Sequence, residues 1–403
     1  MRGRKLQPED VGFIAEVDFE YPNRLHDLHQ DMPLAPEHVT ITPDMVCPLM
    51  RKHNYNASSY KAKKLVGNLQ PKTRYILHHR LLQLYLQLGL KVLRVWRVLL
   101  FEQSPFMSKY ISHLALLRAN SKNPFEKSVL KKLANSCYGK MIENVRKYKQ
   151  VVICHTQSHF LKTSSSPFFE AFKIYSDTLV LCFMKKPAIY MKSFHAIGLT
   201  ILDYSKLHMY DLYYNHILPS TNLSPLNQSI SIIMSDTDSF LFAIRGMTLD
   251  EFIRAIAHIM DFGNYPKNHP LYCTKVSGHL GFLKDETKGE WNIRGVIALK
   301  AKCYSLNLRN TASANKFKGL PNVARSKLTY KDYKTSLLTA KTYGAQFQKI
   351  TSKDHQVSTT RLQKKSLSFY DDKRYYLCSI HSLPYGHYHT KKNNPNCRIC
   401  DSR

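Results

Sequence analysis

Residues 230–244, ISIIMSDTDSFLFAI, contain two short apolar runs on either side of an acidic turn. The runs at 230–234 and 240–244 resemble buried strands, and the polar residues between them predict a β-hairpin with Asp236 and Asp238 in its turn. Carboxylates beside buried strands are costly unless a cation neutralises them. Mg²⁺ is commonly bound by one or two carboxylates together with substrate phosphates. The turn is therefore a candidate Mg²⁺ site, and the alternative, which is the commoner meaning of such a motif in isolation, is an ordinary exposed hairpin turn.

A second apolar strand, VGFIAEV at residues 11–17, ends in another acid, Asp18. If Asp18 converges with the two acids of the hairpin, the three carboxylates would hold a pair of Mg²⁺ ions. Two such ions stabilise both the attacking and the leaving oxygen of a phosphoryl transfer.

A basic helix is predicted over residues 127–140, KSVLKKLANSCYGK, where Lys131 and Asn135 are four residues apart and share one face. Arg118 and Lys122, also four residues apart, would face the same side from a preceding antiparallel helix. Cations and amides arranged in this way suit a triphosphate, whose charge must be neutralised as it transfers. The alternative is a solvated basic helix face.

The stretch LKAKCYSL at residues 299–306 predicts a strand with Lys302 and Tyr304 on one face and Cys303 on the other. A lysine and an aromatic ring on one face can contact the backbone and a base of a nucleic acid. Here the alternative is an ordinary half-exposed strand.

The composition indicates a folded protein that binds a polyanion. The 403 residues include 59 Lys and Arg against 29 Asp and Glu, a formal net charge of +30, and 43% are hydrophobic, which excludes wholesale disorder. So large a positive charge is typical of nucleic-acid binding. The nine scattered cysteines do not form a secreted disulfide framework. We found no signal peptide or membrane span, and therefore expect an intracellular, reducing compartment, such as the nucleus or a site of viral or transposon replication.

The remaining periodicities predict further elements. We expect a helix over 74–90, a strand over 91–101, two helical stretches between 106 and 142 broken near Asn123, and a domain boundary near 310. Further helices are predicted at 199–218 and 249–263, and further strands at 293–299 and 303–308.

In order along the chain, these motifs resemble those of the family B DNA polymerases. Asp18 with Tyr21-Pro22 resembles motif A, and Lys131-x-x-x-Asn135-Ser136-x-Tyr138-Gly139 resembles motif B. Asp236-Thr-Asp238-Ser239 resembles motif C, and Lys302-Cys-Tyr304 resembles the Lys-x-Tyr motif. Segments 16–37, 138–147, 269–287 and 371–377 are similar to the protein-primed branch, in particular the polymerases of Polinton/Maverick transposons and adintoviruses.

The resemblance implies an α+β right-hand polymerase fold, with a palm built on an antiparallel sheet, helical fingers and a thumb. The implied domains are palm at 1–34 and 149–304, an insertion that would contact a terminal protein at 35–104, fingers at 105–148, thumb at 305–377 and a tail at 378–403. It implies a nucleotidyltransferase that takes primer–template DNA and dNTPs, with a terminal protein as primer, two Mg²⁺ ions that Mn²⁺ could replace, and no membrane partner. Because only 17 residues precede Asp18, we expect no 3′–5′ exonuclease domain in this sequence.

The resemblance also implies a role for each site residue. The catalytic and metal-binding residues would be Asp18, Asp236 and Asp238. The nucleotide contacts would be Lys131, Asn135, Tyr138, Tyr21, Arg118 and Lys122, and the primer contacts Lys302, Tyr304 and Gly139. Two features depart from the wider family: motif A has two residues rather than four between Asp18 and Tyr21, and Met234-Ser235 replaces the usual Tyr-Gly before motif C.

Two other functions remain open on sequence grounds. One is a catalytically decayed, truncated nucleic-acid-binding remnant of such a polymerase. The other is a reverse transcriptase, whose motif C normally has two adjacent acids, whereas Thr237 separates them here. The C-terminal pairs Cys378/His381 and Cys397/Cys400 have zinc-ligand spacing, but we expect a polar tail there rather than a zinc site.

Overall fold

A computed structural model describes residues 11–52, 63–220, 229–290, 293–309, 314–317, 319–353, 356–378 and 380–391. It divides into two compact units. The first comprises residues 1–12 and 101–203, and the second comprises residues 13–100 and 204–403.

The strands are numbered in chain order: β1 (Val11–Glu20), β2 (Glu37–Thr40), β3 (Lys63–Val66), β4 (Lys72–His78), β5 (Lys91–Glu102), β6 (Lys149–Cys154), β7 (Phe169–Ser176), β8 (Leu179–Lys185), β9 (Ser229–Ser235), β10 (Phe240–Arg245), β11 (Ile293–Lys300), β12 (Cys303–Leu308), β13 (Ala314–Phe317), β14 (Tyr343–Lys353), β15 (Gln356–Leu367), β16 (Tyr375–Tyr376) and β17 (Ser382–Leu383).

The α-helices are α1 (Pro48–Lys52), α2 (His79–Gln87), α3 (Ser108–Asn120), α4 (Pro124–Met141), α5 (Gln157–Ser164), α6 (His195–Asp211), α7 (Leu218–Ser220), α8 (Leu249–Ala255), α9 (Asn322–Arg325) and α10 (Tyr330–Thr339). A π-helical turn, Leu212–Ile217, joins α6 to α7. The chain is thus a mixture of helices and small antiparallel sheets.

The second unit contains the sheet β4-β1-β5, in which β1 pairs antiparallel with β4. The predicted helix over 74–90 is wrong in its first part, because residues 72–78 form β4 and the helix begins only at His79. The side chain of His78 accepts a hydrogen bond from the amide of Arg80 and so caps α2. Gly89 ends this segment with φ of 98°, a conformation that glycine adopts without strain. The predicted strand over 91–101 is confirmed as β5.

The same unit contains the hairpin β9–β10, the sheet β11-β12-β13 and the long hairpin β14–β15. The predicted hairpin around the acidic turn is therefore confirmed, as are the strands predicted at 293–299 and 303–308. The helix predicted over 249–263 is shorter than expected. Thr248 and Glu251 cap α8 reciprocally at its start, but the helix ends at Ala255.

The first unit contains the helices α3 and α4 and the sheet β6-β8-β7. The break predicted near Asn123 is confirmed. The side chain of Asn123 accepts a hydrogen bond from the amide of Phe125. Pro124 occupies the first turn of α4, where the missing N–H of proline costs no helical hydrogen bond. The two helices pack against each other across a three-residue connection, and so form a helical hairpin.

The division into units differs from the implied domains. Residues 149–203 group with the helical hairpin rather than with the acidic turn. The segment 35–104, expected to be an insertion, supplies β4 and β5, the two neighbours of β1. The palm, fingers and thumb boundaries therefore stay a prediction. Across the described residues, no helix is both long and apolar enough to span a membrane.

Candidate active site

The acidic turn between β9 and β10 is tight and strained. Ser235 pairs with Phe240 across the hairpin, the amide of Asp236 donates to the carbonyl of Ser239 at 3.1 Å, and that of Asp238 donates to the carbonyl of Asp236 at 2.7 Å. Thr237, between the two acids, has φ of 63°. Such a conformation is unfavourable for a β-branched residue, and strain of this kind clusters at functional sites. The turn leaves Asp236 half-buried and Asp238 exposed.

Asp236 forms an ion pair with Lys302, which is 66 positions away in the sequence. The sequence predicted that Lys302 is part of a strand, and this is wrong. Lys302 occupies the two-residue turn between β11 and β12 with φ of 61°, one position before β12 begins. The expectation that Cys303 and Tyr304 point to opposite faces agrees with the burial of Cys303 and the half-exposure of Tyr304. Burial, and then the charges of Asp236 and Glu286, raise the pKa of the Tyr304 hydroxyl.

Asp18 lies near the end of β1, where the pairing with β4 is interrupted by an irregularity between Val17 and Phe19. Its carboxylate accepts a hydrogen bond from the backbone amide of Arg74 at 2.7 Å. This bond, a second from the side chain of Trp96 and the nearby arginine charges lower the pKa of Asp18. Asp18 is therefore ionised at neutral pH and held in a fixed direction.

Asp18 is surrounded by cationic and aromatic side chains that were not identified from the sequence. The guanidinium carbons of Arg94 and Arg74 lie 3.6 and 4.6 Å from the ring centroid of Trp96. Glu16 is buried and pairs with Arg97 at 2.5 Å and with Arg74 at 3.5 Å. The one signal available in the sequence was the two-residue spacing of Glu16 and Asp18, which places both on one face of the strand.

The two acid-bearing elements share one hydrophobic core. Val17 and Phe19 on β1 belong to a buried cluster against which Phe240 and Phe242 of the hairpin pack. The loop after β1 is also tied to the hairpin directly, because the carboxylate of Asp31 accepts the amide of Ile232 at 2.9 Å. Packing and a long-range hydrogen bond thus join the strand of Asp18 to the hairpin of Asp236.

Tyr21, expected to contact the nucleotide, lies in this core with only 4% of its surface exposed. Its hydroxyl is 2.8 Å from Nδ1 of His29 and accepts the amide of Leu34 at 3.2 Å. With its ring and its hydroxyl both occupied, Tyr21 packs in the core of this structure, and its contact with the nucleotide stays a prediction.

The other expected nucleotide contacts all belong to the helical hairpin of the first unit. Lys131 and Asn135 are exposed on α4, and Tyr138 is half-exposed. Arg118 is exposed near the end of α3, and Lys122 is exposed in the connection that follows it. Gly139 is open, since a Cβ built there would meet no atom within 4 Å. The cationic face predicted for these helices is accessible, and its role in nucleotide binding stays a prediction.

The carboxylates of Asp18, Asp236 and Asp238 are the candidate ligands for Mg²⁺. Within the described residues, no three His, Cys, Asp or Glu side chains are grouped closely enough to hold an ion together. The predicted cluster of three acids is therefore not assembled here. Asp236 and Asp238, one residue apart in an exposed turn, still supply the one or two carboxylates that Mg²⁺ sites use when substrate phosphates provide further oxygens. The two-metal site stays a prediction.

At the C-terminus, Sγ of Cys378 lies 3.2 Å from Nδ1 of His381. Cys397 and Cys400 lie outside the described residues.

Three comparisons with known proteins were made. No protein-family model matches the chain, and no curated protein sequence matches it. Among solved structures, the chain is similar to phi29 DNA polymerase complexed with primer–template DNA and incoming nucleotide substrates, with a TM-score of 0.48 and 13% identical residues. The alignment covers 91% of this chain and 53% of the polymerase chain, so this chain spans about half the length of that protein.

Proposed function

We propose that the chain is a template-directed DNA polymerase of the protein-primed family B kind, which adds dNMP to a primer 3′-hydroxyl in the replication of a transposon or virus. The observation that carries the proposal is the strained turn in which Asp236 is half-buried and paired with Lys302, while Asp238 is exposed. An acidic pair built over the same core as the strand of Asp18 is a suitable base for phosphoryl transfer.

In this proposal, Asp236 and Asp238 would hold the metal, and Asp18 would join them once its contacts with Arg74 and Trp96 are shared or replaced. Bound Mg²⁺ would supply Lewis-acid stabilisation of the phosphate oxygens and favour ionisation of the primer hydroxyl. Lys302 neutralises Asp236 before substrate arrives, which lowers the repulsion between the two acids of the turn. Its ammonium is also available to a phosphate of the primer end, because charge-assisted bonds to phosphate are strong. Tyr304 and Gly139 would contact the primer.

The exposed cationic face of the helical hairpin would bind the incoming dNTP. Lys131 and Asn135 would contact the phosphates from α4, and Arg118, Lys122 and Tyr138 would complete the contacts. None of these groups needs to be freed from an interior position, since all five are at least half-exposed. Base choice would come from pairing with the template rather than from readout by side chains. A terminal protein is the proposed primer.

A second candidate function is a nucleic-acid-binding remnant without catalysis. It is favoured by the environment of Asp18, whose carboxylate is already engaged by the amide of Arg74 and the side chain of Trp96. For polymerisation, the metal would have to share or replace these partners. In a remnant, they would remain as a structural contact.

The test is primer extension by the full chain with Mg²⁺, four dNTPs and a labelled primer–template. The chain offers a matched control, because the tripeptide Ser-Asp-Thr occurs both at 235–237 and at 176–178. Asp177 stands, exposed, in the turn between β7 and β8, without a second acid. We expect Asp236→Asn to reduce incorporation by orders of magnitude and Asp177→Asn to leave it unchanged.

DNA binding separates the two candidate functions. If the unmodified chain binds primer–template but never extends it with Mg²⁺ or Mn²⁺, the remnant is the correct description. If Asp236→Asn extends primers at the rate of the unmodified chain, the catalytic assignment of the turn is wrong.

A further inference from the structure

The first unit contains a cavity of about 370 Å³ where α4 ends. Its polar lining includes Lys140, Glu143 and Lys192, and its aromatic lining consists of Tyr148, Tyr190 and Phe194. The cavity is built from two segments of chain. One comprises the end of α4 and the residues that follow it, and the other is the stretch without regular secondary structure that leads into α6. A volume of this size falls within the range typical of small-molecule sites.

The two segments are held together by specific contacts. The hydroxyl of Ser193 donates to the backbone carbonyl of Glu143 at 3.3 Å. Gly198, near the start of α6, lies so close to Ile142 that a Cβ would overlap the isoleucine side chain. The cavity is thus formed by a close approach between neighbouring parts of one unit.

Two of the three aromatic residues that line the cavity are largely exposed. Tyr190 is 76% exposed and Phe194 is 65% exposed. Tyr148 is held in place, since its hydroxyl donates to Glu143, which also pairs with Lys140 at 2.6 Å. A flat apolar ligand that covers exposed rings at a concave surface is bound favourably, because it buries their apolar faces and deprives no polar group of a hydrogen bond.

The charge around the cavity is positive. Glu143 is neutralised by Lys140, whereas Lys192 has no ion-pair partner among the described residues. The ammonium of Lys186 lies 5.7 Å from the ring centroid of Tyr148 and adds a further cation beside the cavity. A ligand that complements two cations and several exposed aromatic rings has a negative charge next to a flat ring of its own.

We propose that this cavity binds an unpaired nucleotide, with its base stacked on Tyr190 or Phe194 and its phosphate beside Lys192. Aromatic platforms combined with cations are the means by which single-stranded nucleic acids are bound without sequence preference. The proposal goes beyond the proposed polymerase activity, because it requires neither metal nor incorporation and uses none of the carboxylates of the acidic turn. The nucleotide can belong to a single strand or be free in solution.

The test measures binding of fluorescein-labelled oligo(dT) to the full chain by anisotropy, without Mg²⁺ or dNTPs. We expect the double variant Tyr190→Ala, Phe194→Ala to bind at least about fivefold more weakly, the lower limit for loss of a stacked base. The control is Phe125→Ala, because Phe125 is equally exposed at 75% on the same unit but lies outside the cavity. Equal affinity of the double variant and the control would overturn the proposal.

Lys192→Gln tests the phosphate contact. Loss of one phosphate contact should reduce the dependence of log affinity on log salt by about 0.7 for a single strand, whereas Lys162→Gln, at an exposed lysine on α5, should not. An unchanged salt slope in Lys192→Gln would remove Lys192 from the site.

Photocrosslinking locates the base and identifies its source. Oligonucleotides containing 5-iododeoxyuridine should crosslink to the peptide that contains residues 190–194, and crosslinks only elsewhere would contradict the proposal. Competition by dTMP at millimolar concentration would show that the cavity accepts free nucleotides, and competition by oligo(dT) alone would assign it to a strand. Asp236→Asn should not alter any of these results, so failure of the cavity and failure of the catalytic proposal are distinguishable.

Discussion

Acid should destabilise the second unit through His29, a fully buried histidine beside the acid-bearing strand. Nδ1 of His29 lies 2.8 Å from the hydroxyl of Tyr21, and its ring meets that of Tyr214 edge to face with centroids 4.9 Å apart. Burial, and then the charge of His26, lower the pKa of His29 to about 4. The ordinary pKa of histidine is about 6.5, so the unfolded chain takes up this proton at a higher pH than the folded chain does.

The size of the effect follows from these two pKa values. Well above pH 6.5, His29 is neutral in both states and makes no difference to stability. As the pH falls from 6.5 to 4, only the unfolded state gains the proton, so the free energy of unfolding decreases. Between pH 7 and pH 5, the expected decrease from this one residue is about 2 kcal/mol.

The assay is urea unfolding at pH 7 and pH 5, followed by tryptophan fluorescence. Trp96 lies on β5 in the second unit, so its fluorescence follows the unit that contains His29. His29→Asn keeps an oxygen that can accept the Tyr21 hydroxyl but removes the titrating ring. Other groups contribute to the acid sensitivity of both proteins, so the informative quantity is the difference between them.

We expect the His29→Asn variant to lose about 2 kcal/mol less than the unmodified chain between pH 7 and pH 5. His38→Asn, at an exposed histidine on β2, serves as the control and should behave like the unmodified chain. Equal losses in the His29→Asn variant and the unmodified chain would show that His29 is not buried in a neutral form.

Three further outcomes are expected. Lys302→Gln should slow primer extension at least tenfold yet leave urea unfolding nearly unchanged, because an ion pair whose side chains are 39% and 35% exposed contributes less than about 1 kcal/mol; normal extension would remove Lys302 from the proposed site. Gly198→Ala should reduce the free energy of unfolding by about 1 to 3 kcal/mol, measured by far-ultraviolet circular dichroism, because the new methyl group overlaps Ile142; an unchanged stability would contradict that close approach. Burial lowers the pKa of Lys72 to about 8, so the free energy of unfolding should rise by about 3 kcal/mol between pH 8 and 10.5; in Lys72→Met this rise should be absent, and its persistence would count against a buried lysine.

Elements whose signals are local could be predicted well. The hairpin β9–β10 was predictable because its apolar runs and polar turn lie within 15 residues. The break at Asn123 was predictable because capping and the effect of proline act on adjacent residues. The end of the helical segment at Gly89 was predictable for the same reason. In each case, the interactions that decide the structure join neighbours in the chain.

The segment 74–90 shows where local signals mislead. Its apolar spacing predicts a helix throughout, yet residues 72–78 form a strand. Pairing with β1, from Ile14 to Phe19, satisfies the backbone of this segment and outweighs its helical preference. That partner is more than 50 residues away, so no window of the sequence contains the information.

The sequence was sufficient to locate the acids that lie at or near the ends of strands and to show the strong positive charge. The surroundings of those acids depend on the tertiary structure. It placed Lys302 against Asp236 from a turn 66 positions away, and it surrounded Asp18 with Arg74 and Trp96. It also buried Tyr21, which a motif had suggested for the nucleotide. The physical reason is the same throughout. Spacing within a strand or helix determines the face on which a side chain lies. The charge partner and the burial of that side chain depend on which distant part of the chain packs against that face.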